Sequence, residues 1–146
     1  MQKLEELIAA LENATGPNYA LEVEIFKYVH PEYADYVQGR GGLVHTNDGC
    51  DQRVLSDVRP GNYTASIDAA FSLANRMLPD WRIENLCEWD AEILRDQGPW
   101  MCDLVQRRLE FFDRQSAKCS HAPTAALALL IATLRAKLHQ EKNNAE

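Results

Sequence analysis

Residues 66–89, SIDAAFSLANRMLPDWRIENLCEW, decide the fold, because the spacing of apolar side chains changes within them. From Ser66 to Leu78 the apolar residues recur every three to four positions, which predicts an amphipathic helix that Pro79 ends. The expected buried face of this helix comprises Ile67, Ala70, Phe71, Ala74 and Met77 or Leu78. From Trp81 to Trp89 the period is two, which predicts a strand. The residues expected to share one face of that strand are Trp81, Ile83, Cys87 and Trp89.

Two further segments are expected to complete an antiparallel sheet. The sequence Gln97-Gly98-Pro99 is typical of a connection, and a second alternating run follows it from Trp100 to about Glu110. A third, weaker strand is predicted around residues 115–120. A sheet of three strands is stable only when helices cover a face. We therefore expect an α+β protein, a small three-layer α/β/α sandwich with a short antiparallel sheet of three or more strands between helices.

Apolar stripes predict three more helices. The first carries Leu4, Leu7, Ile8 and Leu11 and ends at Gly16-Pro17. The second begins at the cap Asn18, carries Leu21, Ile25, Tyr28 and Val29, and ends at Pro31. The last has Pro123 at its first helical position, and its core-facing residues are Leu127, Leu130, Ile131, Leu134 and Leu138. Residues 141–146 are expected to fray.

One segment has no helical or strand period. Residues 38–61 contain five glycines, Pro60 and few apolar anchors, which predicts a long loop or insertion. We expect this loop to be mobile rather than functional, because aromatic side chains that could pack it down are absent from it. With this loop included, the length of 146 residues fits a single domain spanning residues 1–146.

The formal charge of −7 and the pI of about 5.1 exclude one class of function. Such a chain repels a phosphate backbone, so non-specific binding of DNA or RNA is not expected. A small anionic ligand or a basic partner protein stays compatible with this charge. No basic segment precedes an apolar run at the N-terminus, and the apolar stretch from Ala125 to Ala132 is too short to span a bilayer. We expect a cytoplasmic protein without a membrane segment.

The residues that could carry catalysis or bind metal do not form a recognised motif. Cys50, Cys87, Cys102 and Cys119 lie far apart without a CxxC pair, so free thiols are expected rather than a zinc site. The four histidines are not accompanied by a nucleophile motif, and Gly39-Arg40-Gly41-Gly42 lacks the Lys-Ser/Thr end of a phosphate-binding loop. We therefore predict a protein without catalytic residues, metal or cofactor.

Two stretches nevertheless resemble the phage ABA sandwich domain family. Residues 63–70, Tyr-Thr-Ala-Ser-Ile-Asp-Ala-Ala, with Pro79-Asp80-Trp81 about ten residues later, are similar to its YT-S-DAA…W start. Residues 122–136 are similar to its closing helix, and the N-terminal helix that ends in Ala14-Thr15-Gly16-Pro17 is similar as well. Pro123-Thr124 inverts the family's Thr-Pro order, which argues against a capping role for the Thr124 hydroxyl. The resemblance implies a sheet between helical layers in a phage or prophage protein, and it implies no activity.

Helix starts and aromatic residues supply the candidate binding site. The first turns after Ser66 and Thr124 offer N–H groups to an anion, and aromatic residues could stack on a base while an arginine contacts phosphate. The candidate ligand-binding residues are Tyr63, Thr64, Ser66, Trp81, Arg82 and Thr124, with Trp89, Trp100, Arg107 and Arg108 as further possibilities. Equally, the tryptophans could belong to the core or to a contact between protomers.

These observations favour binding over catalysis. Our first hypothesis is a phage accessory protein that sequesters a small nucleotide-type host signal, as a counter-defence protein and in a homo-oligomer. The alternative is an acidic inhibitor that binds a basic host complex, in the manner of an anti-CRISPR protein or a DNA mimic. A small enzyme of unrecognised type is the third hypothesis.

Overall fold

The computed structural model describes residues 1–38, 43–45, 60–89, 98–106 and 119–146. Its helices are α1 (Gln2–Asn13), α2 (Tyr19–Val29), α3 (Ile67–Met77) and α4 (Ala125–Ala145), with a short 3-10 helix at Pro31–Tyr33. Its strands are β1 (Tyr36–Gln38), β2 (Leu43–His45), β3 (Trp81–Glu88), β4 (Trp100–Gln106) and β5 (Ser120–Ala122). The predicted α+β fold with a short antiparallel sheet is confirmed.

The first two helices form as their sequence predicts. All four apolar residues of the α1 stripe are buried, and α1 ends before Gly16-Pro17. The Asn18 side chain caps α2 by accepting a hydrogen bond from the Leu21 N–H at 3.2 Å. One residue departs from the pattern, since Glu22 in the first turn of α2 is only 6% exposed.

A short hairpin occupies part of the segment predicted to be a loop. Strands β1 and β2 pair antiparallel, with Val37 opposite Val44. Leu43 is fully buried. The prediction of a loop over residues 38–61 is therefore wrong for residues 43–45, because Leu43 supplies the apolar anchor that the pattern lacked. Residues 39–42 and 46–59, with Cys50, lie outside the described residues.

The main sheet has the order β3-β4-β5 and is antiparallel throughout. The register between β3 and β4 shifts between Ile83 and Asn85. This bulge inserts one extra residue and reverses the alternation, so Leu86 joins Ile83 on the face of the sheet that also carries Leu104 and Cys102. The predicted common face of β3 is therefore wrong after Ile83: Cys87 lies on the other face. Trp89, which follows the strand, is 49% exposed.

The third strand lies slightly later than expected. It comprises Ser120–Ala122, whereas the alternation predicts a strand over residues 115–120. Ala122 pairs with Trp100 and is 2% exposed. Residues 107–118 lie outside the described residues, so the first part of the predicted strand is not tested.

Helix α4 lies at the centre of the fold. It contacts all three strands of the sheet and also packs against α1 and α3. Every residue from Ala125 to Leu134 is buried, so this first half of α4 has no solvent face. The layers therefore run from the sheet to α4 and from α4 to α1 and α3.

Both ends of α4 differ from the prediction. Pro123 lies before the helix, and Thr124 is its N-cap, with Oγ1 accepting a hydrogen bond from the Leu127 N–H at 3.3 Å. The expectation against a capping role for the Thr124 hydroxyl is therefore wrong. At the other end the helix continues to Ala145, whereas the sequence predicts a frayed tail over residues 141–146. Glu141 accepts a hydrogen bond from the Tyr28 hydroxyl at 2.8 Å. Burial, followed by this hydrogen bond, raises the pKa of Tyr28 to about 12.

Helix α3 is rotated relative to its predicted buried face. The buried residues of α3 and its C-cap are Ala70, Leu73, Ala74 and Leu78. Ile67 and Phe71, which the periodicity assigns to the core, are each 47% exposed. They lie at the border of the buried face. The apolar residues of α3 cover a wider part of its circumference than α4 contacts, so those at the border stay exposed. No helix of the described residues is long and apolar enough to cross a membrane.

Candidate functional site

The first three predicted site residues lie at the start of α3 and are used by the fold. Ser66 caps α3, with its Oγ accepting from the Ala69 N–H at 3.3 Å. The Tyr63 ring packs over Gly61, where an added Cβ would lie 2.5 Å from the ring. Burial raises the pKa of Tyr63, while the Gly61 N–H and the Arg76 charge lower it.

Thr64 belongs to a buried hydrogen-bond network. Its side chain is 1% exposed, and its Oγ1 donates to the Glu22 carboxylate at 2.6 Å. The same carboxylate accepts from the Thr64 N–H at 3.2 Å, and Thr64 Oγ1 accepts from the Asn18 N–H at 2.8 Å. These bonds tie the start of α3 to the start of α2. The Thr64 hydroxyl therefore makes its hydrogen bonds within the protein and is not available to a ligand.

We expect the Thr64→Val variant to lower the free energy of unfolding by about 2–3 kcal/mol, since it leaves a buried carboxylate and an N–H without this partner. Chemical denaturation would measure the loss. The matched control is Thr133→Val, where an equally buried hydroxyl donates to the Leu129 carbonyl at 2.7 Å. That carbonyl keeps its helical partner, so the control should cost less than about 1 kcal/mol. Equal losses in the two variants would contradict the network.

Trp81 and Arg82 lie beyond the other end of α3. Trp81 is only 3% exposed, so its ring is not available to stack on a base. Arg82 is exposed, and it lies at the mouth of a groove that Phe71, Leu78 and Trp81 also line. Among the remaining aromatic candidates, Trp100 packs against the core. Arg107 and Arg108 lie outside the described residues.

The six predicted site residues do not form one pocket. The eleven residues of α3, about 16 Å of helix, separate Ser66 from Trp81. Thr124 caps the start of α4, whereas Trp81 and His139 line a common cleft near the end of α4. Thr124 and His139 are about 22 Å apart along the helix axis. The structure thus separates the candidates into three places and corrects the single site that the sequence suggests.

The cleft near the end of α4, hereafter the polar cleft, has a volume of about 450 Å³. Most of its side chains are amides or carboxylates, and Trp81 contributes to one wall. The amides are Gln106, Gln140, Asn143 and Asn144, and the carboxylates are Asp80 and Glu146. The Asn143 amide nitrogen lies 3.0 Å from His139 Nε2.

The polar cleft was missed at the sequence level for one reason. Residues 141–146, which contribute three of its side chains, carry no apolar stripe, so the local pattern predicts a frayed end. The contacts that hold this end in place are long-range: Tyr28 binds Glu141, and the Lys142 ammonium lies 3.1 Å from the Glu5 carboxylate. A local period does not reveal such contacts. The only local signal is the run of helix-forming residues from Arg135 to Lys142.

A thiol and an imidazole meet at the edge of the sheet, where Cys119 directly precedes β5 and His121 lies within it. Cys119 Sγ lies 3.7 Å from His121 Nε2. Burial, the charge of Asp103 and a hydrogen bond to its carboxylate raise the pKa of Cys119, and Arg135 opposes them weakly. A thiol with a raised pKa is a poor nucleophile, because the thiolate is the reactive form. Three or more metal-binding side chains do not come together anywhere in the described residues.

Comparison with known proteins yields no relative: no family model, curated protein or solved structure matches this chain. The resemblance to the phage ABA sandwich family therefore stays a prediction.

Proposed function

We propose that this protein is a binding protein and that the polar cleft holds a small polar molecule. The observation that carries the proposal is the composition of the cleft, in which four amides, two carboxylates and an imidazole surround about 450 Å³ beside a tryptophan. Binding sites commonly combine an apolar wall with a few convergent polar groups. The volume is suited to a ligand of the size of a nucleoside.

The charges around the cleft favour one class of ligand. Asp80 and Glu146 are carboxylates, and the C-terminal end of α4 adds the negative end of a helix dipole. These groups attract hydrogen-bond donors and cations and repel phosphate. Amides such as those of Gln106 and Asn143 can read the paired donor and acceptor edge of an adenine-type base. The preferred ligand is therefore neutral or cationic and carries amino groups, such as a nucleoside.

This chemistry modifies the hypothesis of a nucleotide-type signal. Arg82, the predicted phosphate contact, lines the groove beside α3 and not the polar cleft. A nucleoside part would thus be held in the cleft, while a phosphate would lie away from its carboxylates. Sequestration of such a molecule is consistent with the accessory role that the phage-family resemblance suggests.

Thermal unfolding with matched ligand pairs tests the proposal. We expect adenosine-type nucleosides to raise Tm saturably, with about 2.7 kcal/mol of stabilisation at a hundredfold excess over Kd, and the 5′-monophosphates to bind more weakly. The Gln106→Leu and Asn143→Leu variants should each lose the shift. Asn62→Leu, an exposed amide outside the cleft, is the control that should keep it.

The outcomes distinguish binding from catalysis. Recovery of the unchanged nucleoside from the complex supports sequestration, whereas its conversion to a product would show an enzyme. The proposal fails if monophosphates bind as tightly as nucleosides, or if both cleft variants retain the full shift.

A further inference from the structure

Helix α3 carries an exposed apolar stripe. Ile67 and Phe71, one helical turn apart, are each 47% exposed. Phe71 also forms one wall of a groove beside α3, whose other apolar residues are Ala74, Leu78, Trp81, Ile83 and Leu104. The stripe and the groove are continuous at Phe71. Since Leu78, Trp81 and Leu104 are only 2–3% exposed, the exposed apolar surface consists mainly of Ile67 and Phe71, and the groove extends it only as a shallow depression.

Opposite charges mark the two ends of this surface. Asp68 is exposed in the first turn of α3, beside Ile67. Arg82 is exposed at the mouth of the groove, beyond the last turn of α3. Within the described part of the chain, neither side chain forms an ion pair. The surface thus has an acid at one end, an apolar centre and a base at the other end.

We propose that this surface binds a second copy of the chain around a twofold axis that passes close to Ala74. The two copies of α3 then run antiparallel, and Phe71 of each copy packs across the shallow groove of the other. Asp68 pairs with Arg82 of the partner subunit, and the reciprocal pair forms by symmetry. This interaction lies apart from the ligand proposed for the polar cleft and does not depend on it.

Self-complementarity is the argument for a second copy over an unrelated partner. A twofold interface uses the same patch on both subunits, so each feature must find its complement within that patch. The antiparallel arrangement brings each acid to a base, whereas a parallel one would bring like charges together.

The stripe is short, because α3 spans about 16 Å, and it covers less than the roughly 800 Å² per subunit of a standard interface. We therefore expect a weak dimer, with a Kd of roughly micromolar order.

Sedimentation velocity over a concentration series tests the dimer. The wild-type chain should pass from monomer to dimer, and Phe71→Lys should raise Kd by about a hundredfold or more, since each dimer loses two central aromatic side chains. The matched control is Ser72→Lys, which introduces the same charge at the next exposed position of α3, outside the stripe. Circular dichroism verifies that each variant is folded.

Charge reversal tests the arrangement of the two helices. Asp68→Arg and Arg82→Asp should each raise Kd by about tenfold, and the double variant should restore the wild-type value, because both pairs reform with reversed charges. The proposal is overturned if the wild-type chain is monomeric throughout, if Ser72→Lys acts like Phe71→Lys, or if the double variant is as weak as the single ones. Growth beyond a dimer would also overturn it, because a twofold interface closes. The dimer-deficient variants should still bind the ligand of the polar cleft. The proposals of a dimer and of a ligand site can therefore fail independently.

Discussion

The Gly98→Ala variant is expected to lose about 2–5 kcal/mol of the free energy of unfolding. Gly98 has a φ of 91°, which is outside the region that L-residues normally adopt. An added Cβ would also lie 2.4 Å from the carbonyl carbon and 2.9 Å from the Cα of Ala122. Backbone atoms cannot rotate away as a side chain does. The end of β5 would therefore have to move, and with it the junction to α4.

Thermal unfolding by circular dichroism measures this effect. A loss of this size should lower Tm by roughly 10 °C in a chain of this length. Gly16→Ala is the matched control, because nothing lies within 4 Å of an added Cβ there, and a change below about 0.5 kcal/mol is expected. Gly98→Asn separates the two causes, since asparagine tolerates a positive φ but still introduces a Cβ. A wild-type Tm for Gly98→Ala would contradict the close approach of β5.

Much of the fold could be predicted from local signals. The positions of α1, α2 and α3 follow from apolar stripes and from caps such as Asn18 and Ser66, which act through hydrogen bonds within three residues. The change of period at Trp81 correctly placed β3. These features are local in the chain, so a single sequence specifies them. The order of the three strands also followed, because strands that are consecutive in the chain are usually neighbours in an antiparallel sheet.

The features that the sequence did not reveal depend on distant residues. The bulge after Ile83 is a property of the pairing between β3 and β4, and it reverses the faces of all later residues of β3. Glu22 lies among solvent-facing residues by pattern, yet Thr64, in a different element, satisfies its carboxylate. The exposure of Phe71 depends on how much of α3 the packed α4 covers. None of these is encoded within one helical turn or one strand repeat.

The predicted site residues have other surroundings than the expected pocket. Trp81 lies in the wall of the polar cleft, but its ring is buried and does not stack on a ligand. Tyr63, Thr64, Ser66 and Thr124 attract attention because their motifs are those of helix starts. In the structure Ser66 and Thr124 cap helices, and Thr64 belongs to the buried network. The Tyr63 ring packs over Gly61. These roles explain the motifs without a ligand. The polar cleft depends instead on where the end of α4 lies against β3 and β4.

The central position of α4 leads to the second large effect. The run from Ala125 to Ala132 is apolar on all sides, which is the sequence signature of a helix without a solvent face. The small alanines permit close approach on one side, and the leucines fill the space toward the sheet, α1 and α3. Leu130 is fully buried in the middle of this run. Leu130 belongs to the same buried cluster as residues of α1, α3 and the sheet, so a cavity at this position would lie inside the core.

The Leu130→Ala variant should therefore lower the free energy of unfolding by about 3–5 kcal/mol, toward the upper part of the range for such truncations. Since domains of this size are stable by only about 5–15 kcal/mol, the midpoint of urea unfolding should fall markedly with an unchanged m-value. The matched control is Leu138→Ala, the same truncation on the same helix at a partly buried position, which should cost about 1–2 kcal/mol. A smaller loss at Leu130 than at Leu138 would show that α4 contacts the core through its end and not through its middle. Such a result would contradict the layer order of sheet, α4 and outer helices.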